Sequence, residues 1–201
     1  MNVISDNPWT KSISQYGMTL SRPDAIVVIS AHWLTDGMKI HASLHPKTIH
    51  DFRGFPQELQ QVQYPAPSSR KWVEKLKVLL PQAEVTEDWG YDHGTWGVLK
   101  FLRPQADIPV IPISLNARNS AQDFYELGQV LKTLREQNIL IIGRGNLVHN
   151  LYEIDLETEG SVFPWAQSFD ENVKSLTLQG QTENLSHLPQ AEPGAFKQSH
   201  P

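Results

Sequence analysis

Residues 25–33 run A-I-V-V-I-S-A-H-W. Across residues 25–29 every position is apolar, with no alternation between apolar and polar side chains. A strand solvated on one face alternates, whereas an unbroken apolar run is the pattern of a strand buried on both faces, as in a parallel sheet covered by helices. Pro23, just upstream, cannot donate a ladder hydrogen bond and suits the start of such a strand. At the far end the small residues Ser30 and Ala31 lead to His32. Ligands of open α/β sheets bind beyond the carboxyl ends of the strands, so His32 stands where a metal or substrate site would be built.

A second apolar run, I-L-I-I at residues 139–142, reads as another strongly buried strand, and the following G-R-G-N-L-V-H-N-L delivers His149 in the same way. Residues 38–43 alternate like a half-exposed strand, and Val85 suits a short one. Residues 108–114 carry two prolines, which places that strand near an edge or at a bulge. Asn7-Pro8 predicts a helix start, with the helix running to Leu20. Further helices are expected over residues 70–80, 121–137 and 166–178 from their apolar periodicity. The tail from Gln179 to Pro201 is polar and weakly patterned. With no repeat or linker, residues 1–201 read as one α/β domain with a mostly parallel central sheet flanked by helices.

The 201-residue chain is 39% hydrophobic and 19% charged, an ordinary globular composition. Its net charge of −5 and lack of a basic cluster argue against a nucleic-acid partner. No apolar run reaches the ~18 residues of a membrane span, and no signal peptide is evident, so a cytoplasmic protein is expected. There is no cysteine, so any metal must be held by imidazole and carboxylate. Of eight histidines, His32, His93 and His149 lie at strand ends or among glycines, where catalytic groups sit, while His41 and His45 look like surface residues. His50-Asp51 reads either as a carboxylate orienting a ring or as a turn with an exposed histidine. The G-R-G-N-L-V segment is neither a phosphate loop nor a dinucleotide fingerprint.

Several motifs occur here in a fixed order: S-A-H-W, T-I-H-D-F-x-G-F-P, Y-P-A-P, D-H-G-T-W-x-x-L, A-D-I-P-V and G-N-L-V-H-N-L. Through them the chain resembles the class III extradiol ring-cleavage dioxygenases, specifically the DOPA 4,5-dioxygenase subfamily related to the B subunit of protocatechuate 4,5-dioxygenase. The resemblance implies an enzyme that inserts O2 into a catechol such as DOPA, with non-haem Fe(II), or Zn(2+), as its metal. It implies His32 and His149 as metal ligands, with His149 alternatively the acid/base, and His93 as a catalytic residue at the substrate. Trp33, His50, Phe55 and Trp96 would line the substrate pocket. The oligomeric state is left open.

Members of that family normally begin with a strand ending in H-G-S-P and continue to P-T-x-E-H, each carrying a further ligand. This sequence runs from Met1 to Pro201 between those motifs. The expectation is therefore a domain lacking the family's first strand and C-terminal elements. Two imidazoles alone hold a divalent ion poorly, so weak metal binding and impaired turnover are expected. A non-catalytic relative, or another metal-dependent enzyme on the same fold, is the alternative.

Overall fold

The computed structural model describes residues 4–52, 56–153, 162–191 and 193–200. The expected pocket residue Phe55 lies outside them. In chain order the elements are α1 (Pro8–Thr19), β1 (Ala25–Thr35), β2 (Lys39–His41), α2 (Gln57–Gln60), α3 (Arg70–Leu79), β3 (Glu84–Thr86) and α4 (His93–Leu102). There follow β4 (Val110–Asn116), α5 (Ala121–Lys132) with a 3-10 turn at Thr133–Gln137, and β5 (Ile139–Arg144). A 3-10 turn at Leu151–Glu153 precedes α6 (Pro164–Leu178), α7 (Glu183–Ala191) and α8 (Pro193–Ser199). No helix among the described residues is long and apolar enough to cross a membrane.

The chain forms two compact units: residues 1–118 with 129–145, and residues 119–128 with 146–201. The first holds a five-stranded sheet of order β3-β2-β4-β1-β5. β1 is parallel to both its neighbours, β4 and β5, and β2 is parallel to β3; only the β2–β4 pairing is antiparallel. The mostly parallel α/β architecture expected from the sequence is the one observed. Ala25, Ile26, Val27 and Val28 are at most 2% exposed, as a strand covered on both faces requires.

The α1 start also follows the sequence. Pro8 is the first helical residue, and the Asn7 carboxamide accepts the Thr10 N–H at 3.0 Å while the Thr10 hydroxyl accepts the Asn7 N–H at 3.1 Å. Gly17 lets α1 press against α4, because a Cβ there would sit on the Leu102 carbonyl oxygen. Between helices and sheet lies a core of Ile26, Val28, Leu59, Tyr64, Tyr91, Trp96, Leu99, Ile108 and Val110. The Tyr91 hydroxyl ties it together by donating toward the carbonyls of Pro67 and Val110.

Four expectations are corrected. β4 is an interior strand rather than an edge: Pro112 is tolerated there because one neighbour, β2, has three residues and pairs with β4 at a single position. β5 is half-buried rather than fully covered, because it pairs only with β1 at the end of the sheet; within it only Ile139 is buried. His41, expected at the surface, is fully enclosed, since β2 tucks beneath Trp33 of β1 and pairs with β3. His93, expected among glycines in a loop, instead opens the helix His93–Leu102, its start fixed by an aspartate cap that outweighs the poor helix propensity of Gly94 and Gly97.

The second unit has its own small core of Phe169, Val173 and Leu188, with Leu176, Leu185 and Phe196 packed against it. The weakly patterned tail thus folds into α7 and α8, because a few apolar residues at helical spacing suffice against α6. The His149 N–H donates to the Ser199 carbonyl at 2.8 Å within this unit, and the His149 side chain is exposed.

Candidate metal and catalytic site

The site lies in the first unit, at the carboxyl end of β1. The β1–β4 register is regular from Ile26↔Val110 to Ile29↔Ile113, then jumps to Leu34↔Leu115. Residues 30–33 therefore bulge, and a bulge re-aims side chains at the end of a strand. His32 is one of them. Its ring comes to 3.9 Å, centroid to centroid, from that of His93, the first residue of α4.

The start of α4 is fixed by Asp92, whose fully buried carboxylate accepts the Thr95 N–H at 2.8 Å and the Trp89 indole N–H at 3.3 Å. Asp92 therefore faces inward and does not orient its neighbour His93. That task falls to Asp51. One Asp51 oxygen bonds both the His93 backbone N–H, at 3.0 Å, and ring Nδ1, at 2.8 Å, while the other lies 3.8 Å from His32 Nδ1. The side chains of His32, Asp51 and His93 are 30%, 18% and 15% exposed, open enough for a ligand to reach and enclosed enough to strengthen electrostatics.

Burial and the neighbouring His93 hold His32 below the usual imidazole range, against the opposing pull of Asp51 and Asp92, so His32 is neutral at pH 7. Burial pushes the Asp51 carboxyl up, but the hydrogen bonds from His93 outweigh it and leave Asp51 below its ordinary value, ionised at neutral pH. A neutral imidazole and an ionised carboxylate are the protonation states that metal ligation requires.

Gly94 is part of this construction. A Cβ there would meet Ser30 Oγ at 2.4 Å, His32 Cδ2 at 3.0 Å and Asp92 Oδ1 at 3.1 Å. Gly94→Ala is expected to cost about 1–3 kcal/mol of stability and to displace His32. Urea unfolding together with metal titration checks this, and a variant equal to wild type in both rejects it.

Of the other sequence candidates, His50, Trp96 and Trp33 lie in the first unit. His50 does not pair with Asp51; its Nε2 lies 3.0 Å from the Val62 carbonyl, and its ring touches Phe52 and Trp96. Trp96 is fully buried, with its indole N–H on the Ile49 carbonyl at 2.9 Å. Trp33 is 4% exposed and stacks on Trp89, the planes 3° apart. His149 belongs to the second unit. The sequence reading missed Phe52, half-buried with its ring 5.6 Å from that of His93. It offered His50 as an Asp51 partner in one of two readings, whereas the partner is His93, 42 residues away, which no local signal names.

Residues 5–200 match the family described as the catalytic LigB subunit of aromatic ring-opening dioxygenase. The chain belongs to this family. The 4,5-DOPA dioxygenase extradiol of Escherichia coli (strain K12) is 47% identical over 187 residues, which are 91% of this chain and 69% of that protein. The protein of the same name from Beta vulgaris is 35% identical over 185 residues, 90% of this chain and 68% of that one. A crystal structure of an uncharacterized Escherichia coli K12 protein aligns with a TM-score of 0.81 at 39% identity, covering 98% of this chain and 77% of that chain.

As a member of the ring-opening dioxygenase family, the chain is expected to hold a metal, and the donor set bears on that. The ligating atoms of His32, Asp51 and His93 all lie within 4.8 Å of one another. Two imidazoles and a carboxylate on one side of an ion, with other positions open, are the set used by non-haem iron oxygenases. The residues present fit the group.

Proposed function

We propose that this chain is a metal-dependent extradiol dioxygenase that opens the ring of a small catecholic aromatic, DOPA being the type of substrate, with O2 as co-substrate. The observation that carries the reading is the convergence of His32, Asp51 and His93 at the end of β1. They would hold Fe(II) or Zn(2+). When bound, iron supplies a redox-active centre with open positions for a catechol and O2, and zinc would supply Lewis acidity.

The protein's own contribution is orientation. Asp51 fixes the tautomer and the plane of His93, which an ionised carboxylate does for a neighbouring imidazole. Phe52 offers a flat apolar surface beside it. For His149, the sequence resemblance supports a role as ligand or acid/base. The short His93–Asp51 bond favours a second reading of His93 itself, as a proton carrier toward the catechol hydroxyl rather than a ligand.

The test is metal content and oxygen uptake of the purified chain with L-DOPA, after reconstitution with iron or with zinc. Iron-dependent oxygen uptake is the expected result. Metal-dependent hydrolysis without oxygen uptake would favour a different enzyme on this fold, and neither metal nor turnover would favour a non-catalytic relative. Stoichiometric iron with brisk turnover would reject the expectation of impairment. His93→Gln separates its two readings: retained metal with lost kcat identifies the proton carrier, and lost metal identifies the ligand.

A further inference from the structure

The donor trio has a cationic neighbour that the chemistry above does not use. Arg144 ends β5, where its register partner on β1 is Ser30. Directly paired residues of adjacent strands project to the same face of a sheet. The face taken by Ser30 is known, because its Oγ lies 2.4 Å from where a Gly94 Cβ would be, so Ser30 points at the start of α4. Arg144 therefore rises on the α4 side of the sheet, beside Ser30 and toward the rim that carries His32, Asp92 and His93. Electrostatics agrees: the Arg144 charge acts on His32, and the Asp92 charge acts on Arg144.

The Arg144 charge acts on His32 against a further positive charge there and favours an anion in the neighbouring space. Arginine presents five N–H donors in a planar fork that matches a carboxylate. The amino-terminal end of α4 adds positive potential on the same side.

We propose that Arg144 binds the carboxylate of the substrate, making the chain selective for carboxylate-bearing catechols and orienting the diol end toward His32 and His93. The inference rests on the ring-opening reading and names the substrate class within it. Binding energy gained at the remote end of a substrate aligns its reacting end, which is the use of a charge placed beside the donor trio rather than in it.

Caffeate and methyl caffeate share the catechol and its side chain, and the ester methyl of the second removes the charge. The experiment measures, on the intact metal-loaded chain, anaerobic calorimetric affinity and oxygen uptake for both, in wild type, Arg144→Gln and Arg144→Lys. Charge-assisted hydrogen bonds predict a wild-type preference for caffeate of about 10- to 100-fold. Arg144→Gln is expected to collapse that ratio to within about threefold, while Arg144→Lys keeps part of it. Thermal melts show whether each variant is folded, and because the readout is a ratio, a loss of folded protein lowers both ligands alike. A wild type without preference, or a Gln variant that keeps it, overturns the inference even if both compounds are oxygenated. Selective binding without oxygen uptake sinks the ring-opening reading but leaves the carboxylate site standing. Binding of neither compound sinks both.

Discussion

Asp51→Ala lowers kcat/KM for catechol oxygenation by about 100-fold or more and weakens metal binding by at least about tenfold. The expectation follows from how much converges on this one carboxylate. It accepts the His93 backbone and ring N–H groups, at 3.0 and 2.8 Å, and stands 3.8 Å from His32. Removing it takes away the only carboxylate of the donor trio and leaves the His93 ring free to turn. It also removes one of the two carboxylates that favour a proton on His32, so protonating that ring becomes harder. Asp51→Asn separates shape from charge: it preserves the outline but offers a weaker acceptor and no anionic ligand, and it should resemble the alanine variant in metal affinity. Metal titration and steady-state oxygen uptake supply the measurements, with thermal melts alongside. A lowered melting temperature with unchanged metal affinity and turnover would reduce Asp51 to a cap for the first turn of α4.

Acid weakens the fold through His41. This side chain is fully buried, and neither ring nitrogen meets a protein hydrogen-bond partner among the described residues. Burial, with the Lys47 charge adding to it, pushes its pKa from 6.5 down to about 4. The folded state therefore holds the neutral ring while the unfolded chain takes up a proton at a higher pH. Stability is complete above pH 6.5, declines as the pH falls through the window between the two values, and has lost about 3 kcal/mol by pH 4. His41→Leu removes the titrating group and the two unsatisfied nitrogens. Urea unfolding from pH 7.5 to pH 4 should then show the variant gaining on wild type by about that amount as the pH falls. A difference between the two proteins that stays constant with pH would rule this out.

The reach of sequence reasoning follows from the range of each signal. The A-I-V-V-I run announced β1 and its burial on both faces because unbroken apolarity is a property of consecutive residues. Asn7-Pro8 marked the start of α1 because capping is settled within four residues. His32 was expected where its strand ends, whereas β1 continues past the bulge to Thr35. By contrast, Pro112 suggested an edge because a proline's missing donor is visible in the sequence, whereas the shortness of the neighbouring strand is not. His41 looked solvated because its flanking residues are polar. What encloses it is Trp33, from another strand.

The motif order and the apolar runs determined the class of fold, the family, and the candidacy of His32, His93 and His149. Only the tertiary structure decided that Asp51 serves His93 rather than His50, that α4 begins at His93, and that Arg144 shares a face with Ser30. Backbone preference and burial pattern are written along the chain and act over a few residues. A site is made where distant segments meet, and which segments meet depends on the order of strands in the sheet, which no single stretch of the sequence contains.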